Sequence, residues 1–202
     1  MPIHAIIVDL MDVLALDEGP ERSQWEARAG LPDGSLMRTM FRSPLFREAI
    51  MGHVPEADVW RDVARAFDRD PQEWRELAET FYSAFRLNHD LVAFIRALRP
   101  RYKTAILSNT PSDIRTLLTE RFHLEREVDT VIISAEEHLK KPQPEFYQLA
   151  AERLGVPLQE NLFLDDESRY VEAARSLGMP AVQFISNAQA IPAMQQVLQV
   201  SG

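Results

Sequence analysis

Cysteine is absent from this 202-residue chain. Disulfide staples, thiol nucleophiles and thiolate metal sites are therefore excluded. Basic residues are in deficit, with 22 Lys and Arg against 31 Asp and Glu and a net charge of −9. A nucleic-acid or anionic-membrane partner, each of which asks for a basic patch, does not fit that balance. No uninterrupted apolar run approaches a membrane span. The opening Met1-Pro2-Ile3-His4 lacks the basic region of a secretory leader, and the apolar run behind it stops at Asp9. A cytoplasmic location is expected on those grounds. Internal repeats and low-complexity tracts are also missing. The remainder is ordinary for a globular chain: 46% hydrophobic and 26% charged.

The most informative stretch is His4-Ala5-Ile6-Ile7-Val8-Asp9-Leu10-Met11-Asp12-Val13-Leu14. An apolar run over residues 3–8 reads as a buried strand, and strand interiors disfavour Asp. Asp9 is thus expected at the strand's C-terminal tip, where open α/β sheets bind ligands. Residues 15–85 read as helical, with no convincing strand. Pro20, Pro55 and Pro71 stand where helices can begin. Val59, Val63, Ala66 and Phe67, then Trp74, Leu77, Ala78, Phe81 and Phe85, recur at helical spacing. From residue 86 helix and strand alternate. Strands are expected at 103–108, 128–134, 161–164 and 181–185, with helices at 90–99, 112–121, 145–154, 168–177 and 191–200. Asp90 is the expected cap of the first of these helices. Gly155 and Gly178 are placed to close two others. This alternation predicts a parallel, Rossmann-like sheet with helices on both faces, formed by residues 1–14 and 86–202. Residues 15–85 are expected to form a small all-helical cap inserted after the first strand.

Four strand ends carry polar residues. They are Asp9, Ser108-Asn109-Thr110, Lys140-Lys141-Pro142 and Asp165-Asp166. Singly, each has a bland reading: a turn, a helix cap, a solvated lysine, a surface acidic pair. In this order they supply a nucleophilic carboxylate, a hydroxyl beside backbone donors, a cation, and acids able to hold a hard metal ion. Phosphoryl transfer needs that set, because its catalysis is mostly positioning and charge neutralisation.

These motifs resemble those of the haloacid dehalogenase superfamily, in the branch with a helical cap that includes the soluble epoxide hydrolase N-terminal phosphatase and bacterial sugar-phosphate phosphatases. The matching stretches are Val8 to Leu14, Ile106 to Asn109, Lys141 to Tyr147, and Phe163 to Asp166 followed by Val171 to Met179. The resemblance implies that Asp9 is the nucleophile of an aspartyl-phosphate intermediate. It implies that Asp9, the Met11 backbone carbonyl, Asp165 and Asp166 ligate Mg²⁺, Asp165 directly or through water. Ser108 would bind a phosphoryl oxygen through its hydroxyl, assisted by the backbone of Asn109, and Lys141 would neutralise the phosphate and the charge developing on Asp9. Lys140 matches less well, since the family's lysine directly precedes the proline. The implied substrate is a small phosphorylated metabolite. A monomer and a homodimer both remain open.

One position departs from the pattern. Phosphatases of this family usually carry a second Asp two residues after the nucleophile, as the general acid and base. Met11 occupies that position here and transfers no proton. Asp12 follows it, but side chains on successive residues of an extended backbone diverge. Two alternatives therefore stand beside the phosphatase: a catalytically impaired binding or regulatory protein, and a metal-independent haloacid dehalogenase. The acidic pair Asp165-Asp166 opposes the latter by repelling an anionic haloacid and the departing halide.

Overall fold

The computed structural model describes residues 2–200. Met1, Ser201 and Gly202, which the sequence assigns to the α/β core, lie outside them. Among the described residues seven strands are formed: β1 Ala5–Val8, β2 Ala15–Asp17, β3 Phe85–Leu87, β4 Lys103–Ser108, β5 Thr130–Ile133, β6 Asn161–Asp165 and β7 Ala181–Gln183. Five of them make a parallel sheet in the order β5-β4-β1-β6-β7. These are the five strands that the apolar runs predict. β1 is central, and all four of its residues are buried, as a parallel strand covered on both faces requires.

Period-two alternation divides the sheet's side chains between two layers. Ala5, Ile7, Ala105, Leu107, Ile132 and Phe163 pack under the helices Pro144–Leu154 and Ser168–Ser176. Ile6, Val8, Ile106, Leu162 and Leu164 face the other way, toward the helices His89–Leu98 and Asn187–Val200. Gly155 and Gly178 end their helices at φ of +66° and +79°, left-handed conformations that cost glycine least.

Five helices between residues 21 and 83 pack over the C-terminal edge of the sheet. They are Glu21–Arg28, Ser35–Arg42, Pro44–Ala49, Glu56–Ala66 and Trp74–Ser83. Their apolar faces do not form a separate core. Trp60, Leu36, Val63, Leu77 and Phe81 join the same buried cluster as Val8, Leu10 and Ile106.

Local structure departs from the sequence expectations in four places. The expected helical insert begins and ends in strand, because β2 and β3 pair antiparallel as a two-stranded ribbon at its base. Three residues per strand are too few to show a period of two. Arg22 pairs with Asp17 and Arg86 with Glu21, tying the ribbon to the first helix. Asn88, not Asp90, caps the helix 89–98, its Oδ1 accepting the Leu91 N–H at 3.3 Å. The helix expected over 112–121 is a short α turn, Ile114–Thr116, followed by a π turn, Leu117–Arg121. The last helix starts at Asn187 rather than 191 and carries Pro192 inside it.

Candidate active site

Sheet register sets the site. Val8 pairs with Ile106 on one side and Leu164 on the other. Asp9, Ser108 and Asp165 therefore emerge at the same edge. The loop after β5 brings Lys141 to them. Its Nζ lies 2.8 Å from Asp9 Oδ1 and 2.6 Å from Asp165 Oδ2. Lys141 is 1% exposed and Asp165 is 0% exposed, so this is a buried cation between two carboxylates rather than a solvated loop lysine. The second oxygen of Asp165 accepts the Glu167 N–H at 2.9 Å. Both Asp165 oxygens thus have protein partners, and their geometry fixes the ammonium.

Lys141 is held by its backbone as well as its charge. The Asn109 amide donates to the Lys141 carbonyl at 2.9 Å, and its oxygen accepts the Lys141 N–H at 2.8 Å. The same amide donates to the Tyr170 hydroxyl at 3.2 Å. The Tyr170 ring centroid lies 5.1 Å from the ammonium, within cation–π range. The sequence reading did not single out Tyr170; a lone tyrosine on a helix carries no signal of such a contact. Asn109, whose backbone is expected to assist phosphate binding, uses its side chain to position Lys141. Ser108 is 1% exposed, and its oxygen accepts from the Thr110 hydroxyl at 3.4 Å.

Asp9, Met11, Ser108, Asn109, Lys141 and Asp166 line one cavity of about 430 Å³. Asp165 lies behind it, reached through Lys141. The insert contributes Phe41, Phe46, Arg47 and Ile50 to the opposite wall. The residue pattern does not mark the phenylalanines, because a phenylalanine at helical spacing reads as core. His53, on the same insert, contacts Glu48 at 2.8 Å. Asp12 also lines the cavity. The expectation that it points away assumed an extended backbone, whereas Asp12 sits at φ +58°, a left-handed turn.

The electrostatics are those of an acid-rich pocket. Burial raises the Asp9 carboxyl; Lys141 opposes the rise and Asp165 adds to it, leaving it at about 7. Asp166 is pushed up to about 6 by burial, then by the nearby Asp165 and Asp12. Burial works against the charge of Lys141, but Asp9 and Asp165 outweigh it and hold its pKa above the usual value. One oxygen each from Asp9, Asp165 and Asp166 lies within 4.8 Å of the other two. One ammonium does not balance three carboxylates, and a divalent ion that prefers oxygen ligands fits the remaining charge. The donor set thus suits a hard cation such as Mg²⁺ and no soft metal.

Among the described residues no helix is long and apolar enough to cross a membrane. A family model for haloacid dehalogenase-like hydrolases matches residues 3–178. A drimenol cyclase from Aspergillus calidoustus is 25% identical over 190 residues, covering 90% of this chain and 34% of the relative. A phosphoglycolate phosphatase from Escherichia coli strain K12 is 26% identical over 145 residues, covering 72% of this chain and 56% of the relative. The chain therefore spans between a third and just over half of these two proteins. A Bacteroides thetaiotaomicron enzyme of the same family, solved with magnesium and inorganic phosphate, superposes with a TM-score of 0.72 at 19% identity, covering 90% of this chain and 93% of that one. With four motifs converging on one sheet edge and the family match running from β1 past the helix 168–176, the chain belongs to the haloacid dehalogenase-like hydrolases.

Proposed function

We propose that this chain is a Mg²⁺-dependent phosphohydrolase that acts on a small phosphorylated metabolite, with Asp9 as its nucleophile. The observation that carries the reading is the buried Asp9–Lys141–Asp165 arrangement beside Asp166, at the sheet edge where Ser108 also emerges. The phosphatase relative and the magnesium–phosphate complex of the structural neighbour support it. Residues 15–85 are assigned to the cap and the rest to the catalytic core.

In this reading Ser108 and Lys141 hold the phosphoryl oxygens, and Asn109 keeps Lys141 in place. Asp9 attacks phosphorus; the P–O ester bond breaks and its electron pair leaves with the alkoxide or phenoxide. Water then attacks the phosphoaspartate, its proton passing to solvent. The P–O bond to Asp9 breaks, releasing inorganic phosphate and restoring the carboxylate. Asp9, Asp166 and the Met11 carbonyl would hold Mg²⁺, with Asp165 behind them, and the ion supplies charge neutralisation to the phosphoryl group. Met11 offers no proton, so the leaving group takes its own from water or departs as an anion.

Release of phosphate from p-nitrophenyl phosphate tests the reading, with Mg²⁺ and again with EDTA. Activity lost on chelation and abolished by Asp9→Asn is expected. Activity on 2-haloacids that survives EDTA would instead select the dehalogenase. Mass spectrometry of Asp9 after incubation with acetyl phosphate separates the remaining alternative: a transient adduct is expected, whereas a lasting one marks a binding or regulatory protein.

A further inference from the structure

A second, smaller chamber opens beside the Asp9 cavity, between the inserted helices and the sheet. Its volume is about 120 Å³. The two spaces share Met11, Asp12, Phe41, Phe46 and Asn109 as lining, so the chamber begins where the leaving group of a phosphoester on Asp9 would project. Its own walls are Met37, Met40, Phe81, Phe85, Pro111 and Ile114.

Most polar groups around it already have partners within the protein. Thr110 donates to Ser108, and Asn109 clamps Lys141. Glu56 and Tyr82 close the far end by hydrogen-bonding each other at 2.6 Å, with Trp60 donating to the same Glu56 oxygen at 2.8 Å. Asp12 lies at the shared mouth, and the second Glu56 oxygen, Oε2, is buried at the far end with no hydrogen-bond partner. Between those two acidic groups an entering group meets thioether and aromatic surface, not a set of hydroxyl-reading donors and acceptors along its length. Phe41 strengthens the point. It is 52% exposed at the mouth, packed edge-on against Phe46 with centroids 5.1 Å apart. Among the described residues only one other large hydrophobic side chain, Ile185, is comparably exposed.

Resting on the phosphohydrolase reading, we propose that this chamber takes the leaving group, and that the substrate is a phosphate monoester of a small apolar alcohol or phenol, about one ring in size. A sugar would strand its hydroxyls against Met37, Met40 and Phe81, and unpaired hydroxyls are costly to bury. The size limit follows from volume: a chamber of roughly 150 Å³ lined by apolar side chains accommodates benzene. A phenol also leaves readily as its anion, which suits a site with Met11 at the usual proton donor's position.

Binding of two non-hydrolysable phosphonates, measured calorimetrically on the full chain with Mg²⁺, tests the chamber apart from turnover. Phenylphosphonate is expected to bind at least about tenfold tighter than 2-hydroxyethylphosphonate, as burial of apolar surface requires. Phe41→Ser, at an exposed position that leaves the fold intact, should shrink that ratio. Met37→Trp, which fills the chamber, should bring it to within about twofold of unity. Equal affinities, a reversed order, no binding of either phosphonate, or a ratio untouched by both substitutions would each overturn the proposal. Failure of the phosphohydrolase reading shows differently: phenylphosphonate is still preferred, but no phosphate is released from phenyl phosphate and Asp9 is never labelled.

Discussion

Two residues decide how this site behaves, and each makes an expectation that one substitution can check. Lys141 is buried between Asp9 and Asp165. Removing one partner of a buried ion pair leaves charge unpaired in a poorly polarisable place, which typically costs about 3–5 kcal/mol. Lys141→Met is therefore expected to lower stability by about 3 kcal/mol at neutral pH and to abolish phosphate release. Because Asp9 loses the charge that opposes the rise of its pKa, chemical denaturation should show the deficit shrinking as pH falls and Asp9 protonates. Met11 carries the opposite expectation. It lines the cavity beside Asp9, at the position from which an acid could reach a departing oxygen. General acid catalysis is worth roughly 10²–10⁴-fold. Met11→Asp should raise kcat on alkyl phosphates by about 10²-fold and change kcat on p-nitrophenyl phosphate far less, since nitrophenolate needs no proton to leave. Steady-state rates on the two ester classes check this; equal gains on both would mean that protonation is not what the natural chain lacks.

At the scale of elements, what was legible follows from pattern length. The sheet strands present short apolar or β-branched runs between helical stretches, so strand identity, parallel pairing and the tip positions of Asp9, Ser108 and Asp165 were readable from residue order, whereas the role of Lys141, on the loop after β5, came with the family resemblance. The ribbon β2–β3 was not readable, because three residues cannot display a period. The chamber walls were not either: Phe41, Phe46 and Met37 occupy helical spacings that a core would also use, and only tertiary packing tells lining from filling. Asn88 was hidden by its neighbour Asp90, an equally good cap by type. Position settles it. Asn88 Nδ2 donates to the Val13 carbonyl at 2.8 Å and to Asn187 Oδ1 at 2.9 Å, while Asn187 Nδ2 donates to Asn88 Oδ1 at 2.7 Å. One buried amide thus joins the loop after Asp9, the start of the helix 89–98 and the start of the last helix. Losing a cap costs about 1 kcal/mol and a stranded buried carbonyl about as much again. Asn88→Ala should cost about 2 kcal/mol by denaturant unfolding, against less than about 0.5 kcal/mol for Asp90→Ala.

Across the whole molecule, the inserted helices and the sheet are packed as one body, because Trp60, Phe81, Val8 and Ile106 belong to a single buried cluster. Near- and far-ultraviolet circular dichroism should accordingly report one coincident unfolding transition. Glu56 lies at that junction, on the inserted helix 56–66, and makes the coupling pH-dependent. It is 5% exposed. One of its oxygens accepts from Trp60 and Tyr82, whereas Oε2 is buried with no hydrogen-bond partner. Burial raises its pKa; the Tyr82 and Trp60 hydrogen bonds oppose the rise, and Asp113, facing it from the loop after β4, adds to it. Tyr82 is itself pushed well above its usual value by burial and by Glu56, so it stays a neutral donor. The folded chain therefore keeps a proton on Glu56 that the unfolded chain releases near its ordinary value of 4.5. A carboxyl raised in this way favours folding less as pH climbs from that value through the folded one, and nothing more is lost above it. Glu56→Gln keeps the carbonyl acceptor for Trp60 and Tyr82 but removes the titration. Its stability relative to the natural chain should rise with pH across that window and then level off. Parallel stability profiles for the two chains between pH 4 and pH 8 would show instead that Glu56 is ionised at the junction, with a counter-charge reaching Oε2.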